Sequence, residues 1–127
     1  MWLAVSATAA ETPVYRARGL DASTVDFVLG NFEFVLLHEL AHVVIGELKV
    51  PVLGPEEDAA DFLAATALLN TTRGDPVSYW RANTWLLAAA EGLRLSWAEG
   101  ETRTGELPYW NSHSLNIQRF YSIACLL

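Results

Sequence analysis

The stretch LLHELAHVVIGELKVPVLGPEEDAADFLAATALL, residues 36–69, decides how the whole chain is read. Two of the three histidines, His38 and His42, stand four residues apart around Glu39 in an otherwise apolar run. The carboxylates Glu56, Glu57, Asp58 and Asp61 follow closely. On a helix, positions i and i+4 lie about 40° apart around the axis and about 6 Å along it, so both imidazoles can reach one cation. Glu39 lies about 100° around from His38, where it can face a metal-bound water without ligating the metal and act as general base. Three polar groups inside FVLLHELAHVVI would cost on the order of several kcal/mol if buried without partners. A metal removes that cost.

A catalytic zinc takes three protein ligands and keeps an open position, so a third donor is required. The acidic cluster supplies it at the start of a helix that a tight turn folds back on the first. Glu56 and Asp58 read as a solvated helix start, where the macrodipole favours acids. Glu57 and Asp61 share a face at i and i+4, and Asp61 is followed by the apolar run FLAATALL. The residues leave these two open as the third ligand.

Outward from this stretch the signals are helical. Apolar residues from Val25 to Val44 recur at helical spacing, and Ser23 with Asp26 resembles a capping box, which predicts a long helix over about 24–48. Pro51 ends it, and KVPVLGP predicts a short connection to a second helix over 55–69. TTRGDP breaks the pattern before a third helix over 76–97, with Gly92 as its weak point. AEGETRTGELP reads as a polar loop, and SLNIQRFYSIACLL as a fourth helix from Ser112 or His113 to the end. That helix stops on apolar residues without a cap, which reads as a truncated chain. The expected fold is mainly α, about four helices around the HExxH helix. PVYRA, residues 13–17, is the only candidate strand.

Composition excludes several classes. At 127 residues and 52% apolar, with 18% charged, the chain can bury one core and form a single domain over 21–127. A net charge of −7, with eight scattered Lys and Arg, leaves no basic stripe for nucleic acid. No glycine-rich phosphate loop is present. No run approaches the roughly eighteen consecutive apolar residues of a membrane span. Residues 1–20 read as a loose N-terminus or the remnant of a signal peptide, since Ala7–Ala9 suit a cleavage site while a basic start is missing. Export and a cytoplasmic location both stay open. Cys125, alone, reads as a small core residue, and the five tryptophans as core or interface residues.

HELAHVVIGELKVPVLGPEEDAADFLA resembles the core of an uncharacterised bacterial metallopeptidase family, whose members read HELGHA, a linker with LPVLG, then EEDAAD. It is also similar to the wider gluzincin group, in which HExxH precedes a helix bearing ExxxD. The downstream segment YWNSHSLNIQRFYSIACLL is similar to that family as well. Ala41 stands where the family usually has Gly, and the stretch before the HExxH helix is shorter than the family's. The resemblance implies a truncated minimal gluzincin domain that hydrolyses peptide or protein substrates with Zn²⁺. His38, His42 and Glu57 match the metal ligands, Glu39 the catalytic glutamate and Asp61 the ExxxD aspartate. His113 matches a histidine that stabilises the oxyanion, or it caps and packs a helix start. Arg119 is expected to be exposed and Tyr121 half-buried. A rival expectation is a catalytically silent helical interaction domain with a closed, structural metal site completed by Asp61 or His113, and a third is a truncated, inactive fragment. Nothing in the sequence fixes an oligomeric state.

Overall fold

A computed structural model describes residues 19–70, 74–101, 107 and 111–127. The described residues form four α-helices: α1 Ala22–Leu48, α2 Glu56–Asn70, α3 Pro76–Ser96 and α4 Asn116–Ala124. A π-helical turn, Trp97–Glu101, extends α3. The predicted strand at 13–17 and the signal-like start lie outside the described residues.

α1 begins two residues before the predicted start. Asp21 is its N-cap, and Oδ1 accepts from the Thr24 amide at 2.8 Å, so Asp21 takes the place expected of Ser23. It ends with Lys49 at φ 50°, a left-handed turn closed by the Val50 amide donating to Ile45 O at 3.0 Å. That reversal brings α2 back along α1. α3 starts on Asp75, whose carboxylate accepts from the Ser78 amide at 3.1 Å, with Pro76 in the first turn.

α1 packs on both α2 and α3, and α4 closes over α3 and α2. The core is built mostly from small residues. Ala64, Ala65, Ala82, Ala89 and Ala90 are buried with Phe34, Leu68, Leu86 and Ile123. Alanine faces let helix backbones approach, and α1 meets the α3 backbone closely at Gly30. A Cβ there would lie 2.6 Å from Trp85 O and 2.8 Å from Trp85 Cα. Asn31, one residue on, donates from Nδ2 to Ala88 O at 3.0 Å and pins the same crossing. A Cβ at Gly92 would run into Asn31 Oδ1, so the predicted weak point of α3 is a packing requirement.

This crossing gives a paired stability test. Gly30→Ala gains helix propensity but must push α1 from α3, for an expected net loss of roughly 0.5–2 kcal/mol. Gly46, also in α1, has nothing within 4 Å of its Cβ position. Gly46→Ala should gain roughly 0.5–1 kcal/mol. Urea midpoints of the two variants should therefore move in opposite directions.

One face of α1 is not covered by any described residue. Val28, Phe32, Val35, Leu36, Leu40 and Val43 are all exposed, Phe32 to 63%. The apolar run is hydrophobic enough to be buried, whereas α2 and α3 cover only the side carrying Gly30, Phe34, His38, Ala41 and Ile45. α1 is thus the one described helix long and apolar enough to cross a membrane, by length and composition only. A mostly buried core helix of a soluble protein and a signal sequence near the N-terminus pass the same test, and 28% of the 18-residue stretch that passes it here is buried. Two imidazoles tied to carboxylates of α2 mark α1 as part of the packed bundle.

Three further expectations are corrected. Cys125 is exposed, because it follows the last turn of α4 beyond the core contact of Ile123. Tyr121 is 61% exposed, on the outer side of its helix. α4 starts at Asn116, so Ser112 and His113 precede it, and its start is set by the Gln118 side chain accepting from the Leu115 amide at 3.1 Å.

Candidate metal centre

The turn after α1 sets the register of α2 so that its first two turns face His38 and His42. Three side-chain atoms then converge. His38 Nε2 and His42 Nε2 are 3.2 Å apart, and each is 3.2 Å from Glu57 Oε2. His38, His42 and Glu57 form a group that can hold a metal ion.

The other ring nitrogen of each histidine is already committed. His38 Nδ1 donates to Asp61 Oδ1 at 2.8 Å, and His42 Nδ1 donates to Glu56 Oε1 at 2.8 Å. With Nδ1 turned to these carboxylates, both Nε2 atoms face the Glu57 carboxylate oxygen. Three such atoms facing one another in a part-buried place can be satisfied by a shared cation. Glu56 raises the proton affinity of His42 through this hydrogen bond, burial opposes it and the Glu57 charge adds to it, so the His42 pKa lies above the ordinary imidazole value. Protons would compete with a metal ion at this place, so any metal affinity should fall as pH falls.

Glu56 was expected to be merely solvated. Its side chain is exposed, yet it orients His42 as Asp61 orients His38. The outer N–H of a ligating histidine is usually held by a carboxylate or carbonyl, and both histidines follow that pattern. Asp58, the other acid expected at the surface, accepts from Ser114 Oγ at 2.8 Å and ties the segment before α4 to α2. Asp61 is buried at 6% exposure and lies on the Nδ1 side of His38, away from the three converging atoms.

His113 reaches the group from the segment before α4. Its Nε2 donates to Glu57 Oε2 at 2.9 Å, and its ring stacks on that of His38 with centroids 6.0 Å apart and an interplanar angle of 18°. Glu39, on the exposed face of α1, has no hydrogen-bond or ion-pair partner among the described residues and is flanked by Val35, Leu36 and Val43.

Arg119 is the largest departure from expectation. Instead of being exposed, its side chain is 14% accessible and forks onto Asp61, with Nε to Oδ2 at 2.7 Å and an outer nitrogen to Oδ1 at 2.8 Å. Burial works against its charge, but the hydrogen bonds to Asp61 and the charges of Asp61, Glu57 and Asp58 outweigh it and raise its pKa. A cleft of about 220 Å³ opens on this side, lined by Arg119, Phe62, Ser114, Ser122 and Leu126 among others.

The chain belongs to a family described as "Putative metallopeptidase", whose model matches residues 5–127. No curated protein and no solved structure gives a significant match.

Proposed function

We propose that this member of the metallopeptidase family is a zinc-dependent peptidase of gluzincin type acting on peptide or protein substrates. The observation that carries the reading is the triangle of His38 Nε2, His42 Nε2 and Glu57 Oε2 with 3.2 Å sides. Tetrahedral zinc, bonded at about 2.0–2.1 Å to nitrogen and oxygen, sets its donors about 3.3 Å apart. Two imidazoles and one carboxylate are also the donor set of a catalytic zinc with an open fourth position.

In this reading His38, His42 and Glu57 hold the ion. Zinc, when bound, lowers the pKa of its water to about 7 and polarises the scissile carbonyl. Glu39 takes the proton of the attacking water and delivers it to the leaving amine. His113, beside Glu57, donates to the oxyanion as the carbonyl becomes tetrahedral. Asp61 and Glu56 keep the two imidazoles in the tautomer that leaves Nε2 free.

Protein purified without chelator should carry one zinc per chain, and adding zinc to stripped protein should raise its melting temperature. Casein or a peptide library should be cleaved, and a zinc chelator should stop the cleavage. Protein that binds no zinc and gains no stability from it would end the reading. The 2.9 Å contact of His113 with Glu57 favours one other reading, a silent interaction domain whose metal is structural and takes His113 as a fourth donor. It would bind zinc and cleave nothing.

A further inference from the structure

The carboxylate of Asp61 is engaged on both oxygens. Oδ1 accepts from His38 Nδ1 and from an outer nitrogen of Arg119, each at 2.8 Å, while Oδ2 accepts from Arg119 Nε at 2.7 Å. A guanidinium forks onto a carboxylate in this way and fixes its plane, which a lysine ammonium cannot do. Both partners are largely buried, so neither is pulled away by water. Without Arg119, Asp61 would be a buried carboxylate held only by one imidazole N–H, free to rotate or to find other partners.

We infer that Arg119 is a positioning residue for the metal centre: by locking the plane of Asp61 it holds the His38 ring so that Nε2 points at His42 and Glu57. This rests on the reading of those three residues as metal ligands. A merely structural role, stapling α4 to α2, is the rival. α4 has other anchors, since Ile123 is 1% exposed in the core, Phe120 packs against it and Ser114 binds Asp58. α4 can therefore stay docked when Arg119 is changed, and the two roles can be separated.

Zinc affinity, measured by competition with a chromophoric chelator, tests this on wild type, Arg119→Gln, Arg119→Lys, Asp61→Asn and the Asp61→Asn/Arg119→Gln double variant. Far-UV circular dichroism of each metal-free protein checks the fold. Arg119→Gln should bind zinc about 10-fold to 100-fold more weakly, the usual effect of losing support behind a ligand. Arg119→Lys should recover part of that loss. In the Asp61→Asn background, Arg119→Gln should cost no more than about twofold, because the path runs through Asp61. An Arg119→Gln affinity within about twofold of wild type, or an equal loss in both backgrounds, overturns the inference. If Arg119→Gln does not fold, Arg119→Lys decides. A loss in Arg119→Lys that disappears in an Asp61→Asn/Arg119→Lys double variant supports the inference, and wild-type affinity of Arg119→Lys overturns it. Wild type that binds no zinc overturns the metal centre and this inference together.

Discussion

Glu39→Gln should keep its zinc and lose nearly all peptide hydrolysis. Glu39 is one residue from His38, so it points about 100° away around α1, onto the exposed face and outside the triangle of donors. Glutamine has the same shape but accepts no proton from an attacking water. The expected loss is about 100-fold to 10,000-fold, the usual worth of a general base. Zinc content and turnover measured on one preparation check both halves. If zinc and activity disappear together, Glu39 is a ligand and the assignment of His38, His42 and Glu57 is incomplete.

The second large effect falls on metal binding. Glu57 Oε2 sits 3.2 Å from both Nε2 atoms, whereas the Asp61 oxygens face His38 Nδ1 and Arg119. Glu57→Ala leaves two imidazoles and no charge to balance the ion, so tight binding should be abolished. Asp61→Ala removes only an outer support and should weaken binding by about 10-fold to 100-fold. Chelator titration of both variants gives the order. The reverse order would make Asp61 the ligand.

Most of the bundle was legible because helical spacing, Pro51, Gly54 and the break at TTRGDP are local signals. α1, α2 and α3 lie within two residues of their predicted ends. That His38 and His42 would share one side of α1 was legible from their spacing, and the resemblance chose Glu57 over Asp61 as the acid that joins them. What was missed depends on distant contacts. Arg119 meets Asp61 across 58 positions of sequence, and an arginine on a short amphipathic helix is ordinarily exposed. Glu56 joins His42 only because the left-handed turn at Lys49 sets the angle of α2; the sequence signal was an acid beside Glu57, read as a solvated helix start. The uncovered side of α1 was unreadable for the same reason. An all-round apolar pattern says that a face prefers burial, not which neighbours are present to bury it.

That uncovered side also sets how the fold responds to temperature. The interior is largely alanine, while Val28, Phe32, Val35, Leu36, Leu40 and Val43 are not covered by any described residue. Unfolding then wets little new hydrocarbon, and the heat-capacity increment should fall below the usual value of about 12–15 cal/mol/K per residue. A small increment flattens the stability curve, lowering its crest and widening its span. With the hydrophobic term reduced in this way, occupancy of a site that joins α1, α2 and the segment before α4 carries a larger share of the free energy that separates folded from unfolded chain.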